Sequence, residues 1–269
     1  MTLMTHTPCK ASIIICSLDR ESHLELLLYS LSMQTRKDFE ILICQEEGPL
    51  VYLKKQLLEK AKGEIIIFLD DDIECHEDWF ENMMRWFDET NVIGVSGPTF
   101  VPTANLKNRD VFREGLFKTF YNFFFLEGRA YVPGKITSCG VNTIGGSFPS
   151  PDTQRVWFVD FLEPSAFGIR RWAIEKVGGI DTGYDGVGEW FDTDLCYRVK
   201  GFGPLIFAPD VKVIHRPGFG ATTDKRLETK TRYANYCRWA DKFLNKSFKH
   251  YLYRLFLKIY YFAKEKRWV

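Results

Sequence analysis

Short apolar runs alternate with amphipathic segments along the first hundred residues of the chain. Four of the runs have the length of a buried strand, and they cover Ala11–Cys16, Phe39–Cys44, Ile65–Leu69 and residues 92–95. Between them, apolar residues recur at helical spacing over residues 24–31, 50–61 and 76–89. This alternation predicts an α/β fold with right-handed crossovers, in which a largely parallel sheet carries helices on both faces.

The third apolar run ends abruptly in three adjacent carboxylates, Asp70, Asp71 and Asp72. Because alternate side chains of an extended chain point the same way, Asp70 and Asp72 can share a ligand that Asp71 does not reach. A divalent cation that also binds phosphate suits this pattern, since ions such as Mg²⁺ take one or two carboxylates together with substrate oxygens. An acidic turn without a ligand is the alternative interpretation.

Polar residues also follow the first two predicted strands, at residues 17–20 and 45–47. In a parallel sheet these segments lie at the carboxyl ends of the strands, where open α/β sheets bind their ligands. We therefore expect the three polar segments to meet in one site. Neither the glycine fingerprint of dinucleotide-binding proteins nor a P-loop follows the first strand.

Composition and charge narrow the class of protein. A chain of 269 residues, 45% of them hydrophobic, can form one sizeable domain. Its formal net charge of +1 argues against a nucleic-acid binder. The seven cysteines are scattered without a Cys-x-x-Cys pair, which favours a reducing compartment over a disulfide framework. Because the sequence shows neither a signal peptide nor a long apolar segment, we expect a cytoplasmic protein, or one held peripherally at the cytoplasmic face of a membrane.

The second half of the chain has a less regular pattern. Apolar residues at helical spacing predict a helix around residues 112–126, whose face either joins the core or contacts a lipid-linked acceptor. Alternating apolar residues predict a strand within residues 156–168, and a short helix from Arg170 is stopped by Gly178 and Gly179. Two short strands are predicted at residues 205–208 and 211–215. The glycine-rich segment 216–220 is expected to form a mobile flap over the phosphates of a ligand.

Several stretches of the sequence resemble glycosyltransferase family 2. The turn Cys16-Ser17-Leu18-Asp19-Arg20 is similar to the one after the family's first strand, and Gln45 and Glu46 stand where its second strand ends in an Asp-rich segment. Asp70-Asp71-Asp72 matches the family's Asp-x-Asp motif. The stretch Phe191-Asp192-Thr193-Asp194-Leu195-Cys196-Tyr197-Arg198 is similar to its Glu-Asp-x-Asp-Leu-x-x-Arg motif, with Phe191 in place of glutamate.

The resemblance implies a GT-A fold, which is Rossmann-like, over residues 1–225, followed by a C-terminal helical segment over residues 226–269. It implies an inverting transfer of a sugar from a nucleotide-diphosphate sugar, with a UDP-sugar as the expected donor. The acceptor would be a hydroxyl of a glycan or of a lipid-linked molecule, as in cell-surface polysaccharide or glycolipid synthesis. Mn²⁺ or Mg²⁺ is the implied cofactor.

The resemblance also assigns roles to individual residues. Asp192 takes the place of the catalytic base, with Glu189 as a substitute because Phe191 departs from the motif. The implied metal ligands are Asp70, Asp72 and His215. The residues expected to bind donor or acceptor are Ser17, Asp19, Arg20, Gln45, Glu46, Asp70, Asp71, Glu163, Ser165 and Trp190.

Simpler structural roles remain open for some of these residues. Asp192 could be only the N-cap of a helix, and His215 only a packed or surface histidine. Asp194 and Arg198 lie four residues apart on a predicted helix, so we expect them to form an ion pair.

Beyond residue 226 the chain becomes basic and aromatic. Residues 248–262 are apolar on nearly all sides except for His250, Arg254 and Lys258, which are spaced four apart. Such a helix either packs on the catalytic domain or lies on a membrane surface with its aromatic rings at headgroup depth. The added positive charge favours the membrane contact.

Two other classes of protein share parts of this pattern. A haloacid-dehalogenase-like phosphatase also ends a strand in Asp-x-Asp, but on its first strand and with Thr or Val where this chain has Glu74. A non-catalytic nucleotide-sugar-binding relative is the second alternative, because of Phe191. Phosphate release from simple phosphomonoesters would favour the first, and donor binding without transfer would favour the second.

Overall fold

Strands from both halves of the chain join into one central sheet. The computed structural model describes residues 9–102, 116–143, 145–147, 151–216 and 229–265. Within these residues the sheet contains seven strands, namely β1 (Ala11–Cys16), β2 (Phe39–Cys44), β3 (Ile65–Leu69), β5 (Gly94–Ser96), β7 (Trp157–Phe158), β8 (Ala166–Arg170) and β9 (Leu205–Phe207). Their order is β2-β1-β3-β8-β5-β9-β7, and all except β7 and β8 run in one direction. The predicted α/β fold with a mostly parallel sheet is confirmed.

Helices and a small second sheet surround this centre. The helices of the described residues are α1 (Glu21–Ser32), α2 (Leu50–Lys60), α3 (Trp79–Glu89), α4 (Leu116–Phe124), α5 (Arg171–Lys176), α6 (Phe191–Val199), α7 (Thr229–Phe243) and α8 (Phe248–Glu265). The second sheet has the order β4-β10-β6 and consists of β4 (Ile73–Cys75), β10 (Val213–His215) and β6 (Thr99–Phe100).

The pairing register brings the ends of the first three strands to one edge of the sheet. In the parallel pairs, Cys16 is level with Cys44, and Ile14 is level with Phe68. β10 pairs antiparallel with β4, so its last residue, His215, lies beside the segment that follows β3. The three polar segments that the sequence placed at strand ends are therefore neighbours, and β10 adds a fourth.

The region between β5 and α5 differs from the sequence prediction. The alternation in residues 156–168 predicted one strand, but only Trp157–Phe158 is a strand there, and β8 begins at Ala166. β8 inserts antiparallel between β3 and β5, so the strand predicted at residues 92–95, observed as β5, does not pair with β3. Ala166 to Ile169 are buried on both faces of the sheet, so they show no alternation that would reveal a strand.

Two apolar clusters cover the two faces of the sheet. Ile13 and Ile67 pack with Leu27 of α1 and Phe80 of α3 on one face. On the other face, Ile14, Ile66 and Phe68 pack with residues of α2, α6, α7 and α8, namely Val51, Leu195, Trp239 and Leu257. Successive residues of a strand point to opposite faces, and each fully buried Ile or Phe side chain contributes about 1.5–3 kcal/mol. Asp70 follows Ile66 and Phe68 at the same two-residue spacing, so its side chain is expected on the face that carries α2 and α6.

The C-terminal helices pack on the same side as α2 and α6. Tyr236, Trp239 and Tyr253 belong to the apolar cluster that contains Ile14. The helix predicted around residues 112–126 is observed as α4, and it packs on α8 through Tyr121 and Phe256, whose ring centres are 5.5 Å apart. Among the described helices, none combines the length and apolar composition needed to cross a membrane. The predicted flap lies, from residue 217 onward, outside the described residues.

Candidate active site

Asp71 ties together the segments that follow β1 and β3. Its carboxylate accepts hydrogen bonds from Ser17 Oγ at 2.7 Å and from Arg20 Nη1 at 2.8 Å. Ser17 directly follows β1, and Arg20 is the residue from which α1 starts. The charge of Asp71, which is buried, is thus balanced within the chain. Asp70 and Asp72 remain as the carboxylates available on either side.

Asp72 lies between Arg20 and His215. Arg20 Nη1 is 3.2 Å from Asp72 Oδ2, and His215 Nε2 is 3.1 Å from Asp72 Oδ1. Burial opposes ionisation, but the hydrogen bond with His215 and the charge of Arg20 outweigh it, so the pKa of Asp72 lies below its ordinary value. Asp72 is therefore a carboxylate at neutral pH.

A buried lysine links Asp70 to the helix that carries Asp192. Lys54 of α2 places Nζ 3.5 Å from Asp70 Oδ1, and only 4% of the lysine side chain is exposed. The same ammonium lies 4.9 Å from the ring centre of Phe191, the first residue of α6. A cation over an aromatic face is stabilised when it is removed from water. Lys54 thus occupies the space between the acidic motif and the start of α6.

Asp192 and Glu163 are buried carboxyls with separated pKa values. Burial raises the pKa of Asp192 to about 6, and the negative charge of Asp70 contributes to the rise. The backbone N–H of Thr193 and the positive charge of Lys54 lower this pKa, but their effect is smaller than that of burial. Burial, together with the charge of Asp192, raises the pKa of Glu163 to about 8. At neutral pH Asp192 is therefore ionised and Glu163 protonated. Such a division separates a proton acceptor from a hydrogen-bond donor.

One oxygen of the Glu163 carboxyl group lacks a hydrogen-bond partner among the described residues. This atom, Oε1, is buried. Gly146 packs against it so closely that a Cβ at residue 146 would lie 1.9 Å from Oε1. A buried oxygen without a protein partner is typical of a group completed by water or a ligand.

Helix α6 begins at a strained turn. Trp190, its N-cap, has a φ of 77°, which is unusual for a bulky side chain. Its indole is held by α7, with ring centres 4.8 Å from Trp239 and 5.4 Å from Tyr236. Asp192 is the second residue of α6, so the interpretation of Asp192 as the N-cap is wrong. Because the turn is held by aromatic packing, Asp192 occupies a fixed position in the first turn.

Asp194 anchors α6 through three donors. Its fully buried carboxylate accepts hydrogen bonds from Tyr184 Oη at 2.8 Å, Arg198 Nε at 2.6 Å and Lys242 Nζ at 2.6 Å. The predicted pairing of Asp194 with Arg198 is confirmed. Lys242 belongs to α7 and also binds Asp181. The network therefore connects the helix of Asp192 to the C-terminal part of the chain.

Asp72 and His215 are the pair best suited to a divalent cation. A carboxylate oxygen and an imidazole nitrogen can both bind a divalent cation, and Asp72 Oδ1 and His215 Nε2 lie next to each other. Within the part of the chain that is described, no group of three or more His, Cys, Asp or Glu is arranged around a common centre. An ion held by Asp72 and His215 would have to complete its shell with water and phosphate oxygens, as Mg²⁺ commonly does.

Comparison with known proteins identifies the fold. The model of the family described as Glycosyl transferase family 2 matches residues 54–146. The structure is similar to that of GalNAc-T7 with UDP, GalNAc and Mn²⁺, with a TM-score of 0.62 and 14% identity. The resemblance to family 2 is confirmed over residues 54–146, and the solved structures show that the fold is GT-A. TarS from S. aureus in complex with UDP-GlcNAc gives a TM-score of 0.57 at 13% identity, and the mannosyltransferase PcManGT from Pyrobaculum calidifontis with GDP-Man and Mn²⁺ gives 0.52 at 14%.

The similarity covers nearly all of this chain but less of its GT-A neighbours. The alignments cover 97%, 94% and 94% of this chain, against 51% of GalNAc-T7, 72% of the TarS structure and 69% of PcManGT. The chain thus spans about half the length of the GalNAc-T7 structure. No curated protein matches it in sequence.

Several residues that the sequence assigned to the site of this GT-A chain lie together. Besides Ser17, Arg20, Asp71, Asp72 and His215, the structure joins Asp70 to Ser165, whose carbonyl accepts the Asp70 backbone N–H at 3.0 Å. Lys54, Asp70 and Asp192 form the adjoining part, with Glu163 beside Asp192.

Other predicted residues lie apart from these contacts. Glu189 pairs with Arg232 of α7, with Oε1 2.7 Å from Nη2. Asp19, Gln45 and Glu46 are exposed at the ends of β1 and β2, and the described residues offer their side chains no hydrogen bond or ion pair. These three side chains are therefore available to a ligand at the sheet edge.

Lys54 is the site residue that the sequence did not reveal. The lysines of an amphipathic helix normally lie away from the face that carries its buried apolar residues, here Leu53 and Leu57. Lys54 nevertheless lies three residues after Val51 and three before Leu57, both of which are buried. A lysine in phase with two buried residues is the signal that could have identified it.

Proposed function

We propose that this chain is a cation-dependent, inverting glycosyltransferase that moves a sugar from a nucleotide-diphosphate sugar to an acceptor hydroxyl. The observation that carries the proposal is the position of Lys54, which contacts both Asp70 and the first residue of the helix of Asp192. This position supports the proposal that the acidic motif and Asp192 act in one site. The GT-A fold supplies the context, but the proposal depends on this site.

A UDP-sugar is the donor that we propose. Two of the three neighbours described above hold UDP or UDP-GlcNAc, whereas the third holds GDP-Man. The nucleoside would lie over the exposed side chains of Asp19, Gln45 and Glu46. Arg20 would face the diphosphate, because its guanidinium already lies at the junction of Asp71 and Asp72. The acceptor would be a hydroxyl of a glycan or lipid-linked molecule, as in cell-surface polysaccharide or glycolipid synthesis.

Asp192 would act as the general base in a single displacement. Its carboxylate takes the proton of the acceptor hydroxyl, the acceptor oxygen bonds to the anomeric carbon, and the bond to the diphosphate oxygen breaks with its electron pair leaving on the diphosphate. Attack opposite to the departing group inverts the configuration. Positioned proton transfer of this kind contributes about 10²–10⁴ in rate.

Positive charge near the departing diphosphate is the second requirement. A divalent cation, Mn²⁺ or Mg²⁺, held by Asp72 and His215 with Asp70 nearby, would neutralise the charge that develops on the diphosphate. Lys54 would keep Asp70 in place and hold a fixed positive charge within the site. Glu163 would donate a hydrogen bond to a sugar or acceptor hydroxyl from its neutral carboxyl group.

The pH dependence of transfer is expected to be bell-shaped. Below pH about 6 Asp192 becomes protonated and can no longer accept a proton, and a cation near Asp70 would shift this limb lower. Above pH about 8 Glu163 loses its proton and its role as donor. Glu163→Gln, which remains neutral, should keep the acid limb and lose the alkaline limb of kcat/KM. An unchanged alkaline limb would exclude Glu163 as its cause.

Stability should report the same titration independently of activity. The ordinary pKa of a glutamate is 4.5, and that of Glu163 in the folded protein is about 8. Between these pH values Glu163 is ionised in the unfolded state and protonated in the folded state. Stability should therefore fall as pH rises through this window, by about 1.4 kcal/mol per pH unit for one proton. Urea titrations of the wild type and Glu163→Gln should diverge in slope across it.

Donor binding in the presence and absence of Mn²⁺ tests the proposed cation site. A ligand at 100 times its Kd stabilises a protein by about 2.7 kcal/mol, so a thermal-shift screen of nucleotide sugars should find a UDP-sugar whose shift increases with Mn²⁺. Asp72→Ala should abolish the Mn²⁺ increment and weaken donor binding about tenfold to a hundredfold, as loss of a metal-site contact does. Asp210→Ala, which removes a carboxylate bound to Arg85 and Trp86, is the control.

Activity assays on the same protein samples distinguish glycosyl transfer from the two alternative functions, a phosphatase and a non-catalytic relative. Phosphate release from simple phosphomonoesters would support a phosphatase and contradict the proposal. Mn²⁺-dependent donor binding without transfer or donor hydrolysis over a broad set of acceptors would support a non-catalytic relative.

A further inference from the structure

Helix α8 has two apolar faces, of which one is buried and the other is mostly exposed. Tyr253 and Leu257 are buried against the domain. On the opposite side lies a second row, which we call the outer stripe. Its members are spaced three or four residues apart and lie on one side of the helix, and they are Phe248, Tyr251, Leu255, Ile259 and Phe262. All are more than half exposed, from 52% for Phe262 to 81% for Phe248.

An outer stripe of this composition needs a partner other than water. A surface helix of a globular protein normally turns charged and polar residues outward, opposite its buried face. Here the outward row is aromatic and aliphatic for four turns, and the neighbouring helix α4 also exposes Leu116, Phe120 and Phe123. Tyr121 of α4 packs on Phe256 of α8, with ring centres 5.5 Å apart. Exposed apolar side chains in this number on two neighbouring helices indicate an interaction surface.

The charge around the outer stripe indicates the kind of partner. Residues 242–269 contain eight Lys and Arg but only one Glu. Lys242 is already bound to Asp181 and Asp194, whereas Lys246 is exposed just before α8 begins. Lys258 is exposed beside the stripe. Arg254 and Lys249 lie on the flanks and pair with Asp241 and Glu127. A second copy packed through the same surface would bring two such positive segments together, whereas anionic lipid headgroups would neutralise them.

We propose that α8 binds the surface of an anionic lipid bilayer, lying parallel to it with the outer stripe among the acyl chains and the exposed Lys246 and Lys258 at the phosphates. An amphipathic helix with Lys and Arg beside aromatic and leucine residues binds membranes in this orientation without crossing them. The inner face stays attached to the domain, so binding requires no unfolding of α8. The proposal is independent of sugar transfer, because vesicle binding needs neither donor nor acceptor.

Vesicle flotation of the full chain tests this contact. The probes are vesicles of phosphatidylcholine alone and of phosphatidylcholine with phosphatidylglycerol, each at low and high salt. The test variant is Leu255→Ser with Ile259→Ser. The matched control is Leu26→Ser with Tyr29→Ser on α1, because Leu26 and Tyr29 are 56% and 67% exposed, against 54% and 59% for Leu255 and Ile259. Lys258→Glu tests the charge separately.

The wild type and the α1 control should float with the anionic vesicles, more weakly at high salt. The α8 double variant should bind about tenfold more weakly, because two aliphatic side chains are lost from the apolar contact. Lys258→Glu should weaken binding to anionic vesicles by more than about fivefold, because it removes one basic residue and adds a negative charge. Unchanged melting temperatures show that the variants are folded.

Three results would overturn the proposal. They are no flotation of the wild type with either vesicle, equal flotation with neutral and anionic vesicles, and unchanged flotation of the α8 double variant. A wild-type dimer in sedimentation velocity that the α8 double variant dissociates would assign the stripe to a second copy instead.

Discussion

Asp192→Asn is expected to lower kcat for sugar transfer by about 10²–10⁴, the usual contribution of a positioned general base. The amide has the shape of the carboxyl group but cannot accept a proton from the acceptor. Donor binding should change little, because Asp192 faces the acceptor in the proposed mechanism. Transfer rates and the donor Kd, measured with the same nucleotide sugar and Mn²⁺, separate the two effects.

Glu189→Gln is the matched comparison for this prediction. Glu189 lies three residues earlier, and its carboxylate is bound to Arg232 rather than to the residues around Asp70. We expect it to lower kcat by less than about tenfold, well under the effect of losing a general base. Wild-type transfer by Asp192→Asn, or loss of transfer in Glu189→Gln alone, would show that the base is assigned to the wrong residue.

Asp194→Ala is expected to lower the free energy of unfolding by about 3–5 kcal/mol, as removal of one partner of a buried ion pair does. The substitution leaves Arg198 and Lys242 without the carboxylate between them, and it leaves the hydroxyl of Tyr184 without its acceptor. Urea denaturation at neutral pH measures the loss. Because the network joins α6 to α7, the position of Asp192 should also loosen.

Glu175→Ala provides the control for burial. Glu175 pairs with Arg171 at the same four-residue spacing on a helix, but 60% of its side chain is exposed. An exposed pair of this kind contributes about 0.3–0.5 kcal/mol. Equal losses for Asp194→Ala and Glu175→Ala would contradict the view that the Asp194 network is a buried anchor.

The parts of the fold that the sequence revealed are those with local signals. β1, β2 and β3 each contain an apolar run of four or five residues that is followed by polar residues, so the strands and the gathering of their ends could be predicted. The pair Asp194–Arg198 followed from helical spacing alone. β8 could not be predicted, because it is buried on both faces and enters the sheet from a distant part of the sequence.

The same distinction applies to the site. Asp70 and Asp72 were identifiable as carboxylates at the end of a buried strand. The contact of Lys54 with Asp70 and that of Lys242 with Asp194 join residues 16 and 48 positions apart, and no local pattern specifies such pairs. Charged residues are rarely buried, so a lysine on an amphipathic helix is expected at its surface.

The contact with Lys54 explains why phenylalanine fits at position 191, where the family motif has glutamate. A glutamate at this position would bring a carboxylate next to the lysine ammonium. Phe191 instead offers its ring to the ammonium and packs on Phe68, with ring centres 6.0 Å apart. The charge of Lys54 therefore acts on Asp70 and Asp192 rather than on a third carboxylate.

A crystal structure of the chain with a UDP-sugar and Mn²⁺, with the ion located by its anomalous signal, would test most directly whether the acidic motif and Asp192 serve one reaction. We expect the ion at about 2.1–2.3 Å from a carboxylate oxygen of Asp72, with the diphosphate completing its shell. The anomeric carbon should face Asp192 from the side opposite the diphosphate. A nucleotide sugar bound with its sugar pointing away from Asp192, or an ion bound elsewhere on the chain, would contradict the proposed mechanism.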